Sequence, residues 1–150
     1  MDDRIVKQIE IAAPVSRVWR ALTDSKQFGE WFLVEMDGPF VAGQPIGGNI
    51  THPGYEHLRM DLVIQKIEPE TLFSYTWHPN AIDPNVDYTA ETPTLVEFRL
   101  EPTATGTLLT LTETGFDKIP EARRAEAWRR NDGGWAGQMK NIETYVAKTP

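Results

Sequence analysis

The side chain with the most chemical potential in this 150-residue sequence is a carboxylate set among leucines. Residues Thr107–Thr114 alternate as a strand does, and Leu109, Leu111 and Glu113 share one parity, so an unbroken strand aims all three at the same interior. A lone buried carboxylate costs several kcal/mol unless it is paired or protonated. The pattern therefore predicts that Glu113 lines a cavity with a polar partner, a ligand or water beside it; a bulge at the strand's end would instead let it reach solvent. Phe73, Tyr75 and Trp77 alternate with Leu72, Ser74 and Thr76, which makes one strand face wholly aromatic. Tyr75 and Trp77 each offer a large surface with a polar tip, suited to orienting a ligand, whereas Phe73 reads as core. If there is catalysis, it is general acid–base work by Glu113, Tyr75 or a histidine in a dry pocket.

Other chemistries find little support. His52, Glu56 and His57 flank Pro53-Gly54, which destroys helical i,i+4 spacing, and no third ligand is evident, so no metal site is expected. His78, beside Pro79 at a strand end, reads as a surface histidine, with a place at the cavity mouth as the alternative. No nucleophile elbow is present, and Gly43–Gly48 lacks the lysine of a phosphate loop. The absence of cysteine excludes disulfides, thiol chemistry and cysteine-ligated metals. No catalytic set and no cofactor are expected.

The elements that must position these residues follow from periodicity. Residues 4–12 alternate as a first strand, stopped by Ala13-Pro14. Pro14 suits the first position of a helix carrying Val15, Val18, Trp19 and Leu22. Asp24 caps a second short helix, with Gln27 at the capping-box position and Phe28, Trp31 and Phe32 on one side. Strands are expected at 33–36, near 49–51, and at 58–67, 72–77, 94–100 and 107–114, with Phe98 inward in the sixth. Residues 79–93 read as a loop with little regular structure. An arginine-rich helical stretch from Pro120 to Arg130 is expected to be kinked or interrupted at Asn131–Gly134 before a final helix. In that helix Trp135, Met139, Ile142 and Val146 fall within an arc of about 60°, and Gln138 and Tyr145 stand on its shoulder. Hairpin-length turns require antiparallel pairing. The fold class is thus α+β: a curved antiparallel sheet wrapped around a long C-terminal helix, with two short helices after the first strand, in a helix-grip arrangement.

Bulk properties bound the partners. The length fits one domain over 1–150. An apolar fraction of 40% with 25% charged residues is that of an ordinary globular chain. A net charge of −7 argues against nucleic acid or an anionic membrane as partner. No signal-peptide core or membrane-spanning run appears, so a cytoplasmic protein without membrane insertion is expected.

Several stretches resemble a known superfamily. Ile9-Glu-Ile-Ala-Ala-Pro-Val-Ser-Arg-Val-Trp-Arg-Ala-Leu-Thr-Asp24 is similar to the opening of START-related proteins, which include birch-pollen-allergen-like proteins and polyketide cyclases. Glu68-Pro69 before Phe-Ser-Tyr-Thr-Trp77, Gly106-Thr-Leu-Leu-Thr-Leu-Thr-Glu-Thr-Gly-Phe116, and Gly134-Trp135 before the last helix resemble the branch named after the activator of heat-shock-protein-90 ATPase. The resemblance spans nearly the whole chain and implies a cavity between helix and sheet, often holding a hydrophobic small molecule. Relatives include lipid carriers, cyclases and co-chaperone domains, so it implies no single activity. Nothing matches the separate N-terminal module of full-length co-chaperones, so a lone domain of the C-terminal type is expected.

The resulting expectation is a non-enzymatic domain, monomeric or homodimeric, that holds a hydrophobic or aromatic small molecule in a cavity between the C-terminal helix and the sheet. Its site residues would be Trp31, Phe32, Tyr75, Trp77, Phe98, Leu109, Leu111, Glu113, Trp135, Gln138, Met139 and Ile142. A co-chaperone-like module that binds a chaperone or other protein, or a small cyclase, are the alternatives.

Overall fold

A computed structural model of the chain describes residues 4–79, 81, 83 and 85–148. In chain order it contains β1 (Arg4–Ile11), α1 (Val15–Thr23), α2 (Ser25–Phe32), β2 (Val34–Met36), β3 (Pro45–Ile50), β4 (Arg59–Glu68), β5 (Leu72–Trp77), β6 (Thr94–Pro102), β7 (Thr107–Thr114) and α3 (Glu121–Lys148). Single 3₁₀ turns lie at Tyr88–Ala90 and Phe116–Lys118. Seven strands form one antiparallel sheet in the order β1-β7-β6-β5-β4-β3-β2. Strands β1 and β2 therefore occupy opposite edges, and α1 and α2 carry the chain across the width of the sheet. The sheet curves around α3, giving the α+β helix-grip architecture that the alternation and the hairpin turns imply.

Local chemistry accounts for most boundaries. Pro14 sits just outside α1 as its N-cap, one position before the predicted one, and Asp24 both ends α1 and caps α2 by accepting from the Lys26 and Gln27 amides at 3.0 and 3.2 Å. Gln27 does not close a reciprocal capping box; its Oε1 accepts instead from Arg17 Nη1 at 3.0 Å. Leu33, at φ 67°, ends α2 in a left-handed turn that brings the chain back over Gly29. A Cβ on Gly29 would lie 2.1 Å from the Val34 carbonyl oxygen, so the backbone would have to yield. Gly29→Ala should therefore cost about 2 kcal/mol in urea unfolding; an unchanged midpoint would show that the α2–β2 corner relaxes freely.

Two sequence-based expectations need correction. Strand β3 begins at Pro45, not near Asn49, because β2 reaches only as far as Gly48 and leaves the neighbouring position of Pro45 vacant on that side, where its missing N–H breaks no ladder. The break expected at Asn131–Gly134 is absent, and α3 is one continuous helix of 28 residues. Each of two glycines costs about 1 kcal/mol relative to alanine in a helix interior. The adjoining side chains hold the segment regardless: Asp132 pairs with Lys7 at 2.9 Å, Asn131 donates to Glu113 at 2.9 Å, and Trp135 is buried one turn on. Ala127, Trp135, Met139, Ile142 and Val146 form the buried stripe of α3.

Candidate functional site

Glu113 is completely buried and its carboxylate is saturated. Oε2 accepts from Trp77 Nε1 at 2.7 Å and from the Thr94 hydroxyl at 2.5 Å. Oε1 accepts from Trp135 Nε1 at 2.8 Å and Asn131 Nδ2 at 2.9 Å. Four strands and helix positions converge here by register: Trp77 is opposite Thr94 across β5–β6, and Asn131 and Trp135 stand one turn apart on α3. Indole and amide N–H groups can only donate, so three of the four contacts require an acceptor, and no cation is needed to complete the cage. Neighbouring Tyr75 is sealed in the core, and its hydroxyl has no hydrogen-bond partner among the described residues. Burial first, and the negative charge of Glu113 second, push that hydroxyl well above its ordinary value of 10.0, so it stays neutral.

Rings occupy the space beneath α3. Trp135 lies 5.6 Å from Trp77, 5.7 Å from Phe98 and 6.0 Å from Phe32, centroid to centroid. Phe28 continues the network to Trp31 and Phe32, each at 5.0 Å, and to Phe40 at 5.4 Å. Leu109, Leu111, Met139 and Ile142 pack in the same buried cluster.

Open space lies farther along the sheet. Pairing of β4 with β5 runs from Glu68↔Leu72 to Val63↔Thr76 and stops, so Leu62 and Trp77 part. A register shift between Ile64 and Lys66 bends β4 just before the parting. The first half of β4 stays with β3, and this two-stranded arm swings away from β5. The result is an open cleft of about 740 Å³. Ile46, Met60 and Leu62 line the arm side, Thr76, Trp77 and His78 the β5 side, with Phe32 and the 86–89 segment also in the wall.

The loop wall is latched by Arg123 at the start of α3. Its guanidinium donates from Nη2 and Nε to Glu91 at 2.6 and 2.9 Å and from Nη1 to the Pro79 carbonyl at 3.0 Å, and it lies 4.7 Å from the Tyr88 ring centroid. One side chain thus ties both ends of the loop and its middle. Hydrogen bonding to Arg123 holds the Glu91 carboxyl below its ordinary value. Arg123→Met should speed amide exchange at Asp87–Glu91 by at least about tenfold while costing only about 1–2 kcal/mol globally; protection unchanged in that segment would contradict the latch.

Of the twelve expected site residues, Phe32 and Trp77 line the cleft. Trp135 and Glu113 stand directly behind Trp77, and Trp31 donates its indole N–H to the Ala21 carbonyl at 2.7 Å. Tyr75, Phe98, Leu109, Leu111, Met139 and Ile142 are core neighbours, while Gln138 donates to the Phe32 carbonyl at 3.3 Å. Sequence reasoning missed Thr94, Asn131, Arg123 and the arm residues. Asn131 was readable in principle, since it is four residues before Trp135 on an unbroken helix. Among the described residues no His, Asp and Glu group is placed to hold a metal; Glu56 instead accepts from the Gly54 amide at 2.7 Å. No described helix is long and apolar enough to cross a membrane.

A family model, "Activator of Hsp90 ATPase homolog 1-like protein", matches residues 12–147. The chain belongs to this family. The chain is similar to the crystal structure of MLL2253 from Mesorhizobium loti, with 29% identity, a TM-score of 0.76 and 98% of each chain covered. It is also similar to DynU16, a protein of the dynemicin biosynthetic locus, at 20% identity and a TM-score of 0.75, over 98% of this chain and 48% of that one. The Aha1 dimer from Colwellia psychrerythraea aligns at 19% identity and a TM-score of 0.71 over 95% of each chain. The last two share the fold alone at that identity. No protein of curated function matches.

Proposed function

We propose that the protein is a non-enzymatic binding domain, working in the cytoplasm as one unit over 1–150, that holds a hydrophobic, aromatic small molecule. The occupant sits in the cleft between the β3–β4 arm and β5, not between α3 and the sheet, where rings fill the expected cavity; Phe32 and Trp77 are in contact with it, and Trp135 and Glu113 back Trp77. The observation that carries this reading is the opening of about 740 Å³, of a size typical for small-molecule sites, with mostly apolar walls and an indole anchored by a buried carboxylate. Non-enzymatic use is supported by the engagement of both oxygens of Glu113 and by the sealed, neutral hydroxyl of Tyr75, which leave neither ready to exchange a proton with an occupant.

Native mass spectrometry of protein purified from its own host, followed by calorimetry with the released molecule, tests the reading. A co-purifying aromatic compound whose binding weakens at least about tenfold in Ile46→Trp, which fills the arm side of the cleft, supports it. Equal binding by the filled variant refutes it. A protein-binding module is the second reading, because the Colwellia neighbour of the same fold is described as a dimer and Val63 and Val86 at the cleft rim are exposed. In that case sedimentation would show a dimer that Val86→Glu dissociates.

A further inference from the structure

We infer that the occupant of this cleft carries a hydrogen-bond donor and an acceptor side by side on one edge of its aromatic body, as a lactam does. The inference rests on the small-molecule reading and adds the polar chemistry of the ligand. The main chain of β4 is used on one side only before the parting. Ile64 donates its N–H to the Gln44 carbonyl at 3.0 Å and accepts from the Gly43 amide at 2.8 Å, and the Leu58 carbonyl accepts from Ile50 at 3.1 Å. The even-numbered residues of this stretch thus turn their main chain toward β3. Main-chain groups alternate in direction along a strand, so Arg59, Asp61 and Val63 turn theirs the other way, toward β5. Val63 finds its partner there in Thr76, and pairing then stops. Continued in the same register, it would set Asp61 opposite His78. Among the described residues, the main chain of neither makes a hydrogen bond across the parting.

Both faces of β4 reach the cleft wall, Met60 and Leu62 from the buried face, Arg59 and Asp61 from the exposed one. That is how a strand lines a cleft with its edge. The Asp61 N–H and C=O therefore open into the cleft as a donor and an acceptor pointing the same way. On the opposite wall, His78 Nδ1 is buried without a hydrogen-bond partner among the described residues. Apolar walls with a few placed polar groups are the make-up of a small-molecule site. The matching ligand turns an acceptor to the Asp61 N–H and a donor to its carbonyl. A planar lactam holds those two atoms next to each other in the plane of its rings, which then extend between the arm and Trp77. A plain hydrocarbon would dry both main-chain groups and answer neither. A peptide strand carries the same donor and acceptor, but the free edge runs only from Arg59 to Asp61, about 7 Å, shorter than most strands.

Phenanthridinone and its N-methyl derivative, which keeps the rings and the carbonyl but loses the donor, separate the possibilities when titrated by calorimetry. The lactam should bind about tenfold tighter than the methylated probe. Amide exchange at Asp61 should slow about tenfold or more in the lactam complex, with Met60 and Leu62, whose amides face β3, changing far less. Asp61→Pro removes the free N–H without touching the β3–β4 ladder and should weaken the lactam about fivefold or more. Asp61→Asn keeps that N–H and should leave the affinity within about twofold. Equal affinity for the two probes, or unchanged exchange at Asp61 in the lactam complex, overturns the inference and leaves the small-molecule reading standing. Tighter binding by a capped pentapeptide of alternating valine and threonine overturns it in favour of an added strand. Binding of neither probe at millimolar concentration overturns both.

Discussion

Replacing Glu113 by glutamine should lower the unfolding free energy by about 3 kcal/mol, as read by urea denaturation followed through fluorescence. Glutamine keeps one acceptor oxygen and presents an amide NH2 on the other side. If the NH2 turns toward Asn131 and Trp135, Asn131 can rotate to accept it but the Trp135 N–H is left unanswered; if it turns toward Thr94, whose hydroxyl can accept, Trp77 is left with a buried, unanswered N–H. Relief from burying a charge works in the opposite direction. The buried donors orphaned outweigh it, because each costs about 1–3 kcal/mol. Glu113→Leu removes the acceptor from all four donors and should cost more, about 5 kcal/mol. In the glutamine variant the indole N–H resonances of Trp77 and Trp135 should also shift, since both report the carboxylate directly. A loss below about 1 kcal/mol would mean that water reaches the cage and that the carboxylate is not its organising charge.

The second large effect is expected at Phe28. This ring is fully buried and touches Trp31, Phe32 and Phe40, with Tyr75 6.5 Å away edge-on. With Trp31, it carries α2 into the core. Phe28→Ala should cost about 4 kcal/mol, the sum of lost transfer energy and a cavity that rigid ring neighbours cannot close. Phe32→Ala should cost about 2 kcal/mol, because Phe32 is only half-buried and its removal widens an opening already in contact with water. The ordering of the two is the informative part. A larger loss at Phe32 would place the structural centre at the cleft rather than beneath α3.

Much of this architecture was legible because its signals are local. Period-two alternation in Leu72–Trp77 and Thr107–Thr114 placed two strands and pointed Glu113 inward, where it is. The Trp135, Met139, Ile142, Val146 stripe identified the buried face of α3, and Asp24 was readable as a cap. What was not legible depends on partners distant in sequence. Asn131-Asp-Gly-Gly134 has the composition of a break, and only Lys7 and Glu113, supplied by other strands, explain why the helix runs through it. The parting of β4 from β5 follows from a register shift that alternation within β4 does not reveal. The Arg123 latch joins residues more than thirty positions apart, and a lone arginine on a helix carries no sign of its target.

Location of the bound molecule is the most direct test of all of this. Two-dimensional NMR of the isotopically labelled protein, titrated with phenanthridinone, reads it residue by residue. Binding at the parting of β4 and β5 should move the signals of Ile46, Met60, Thr76, Val86 and the Trp77 indole first and furthest, and leave Leu109 and Ile142 almost still. Shifts centred on Leu109, Met139 and Ile142 would put the ligand beneath the helix, in space the rings fill here, and would contradict a site in the cleft; so would spectra that do not change.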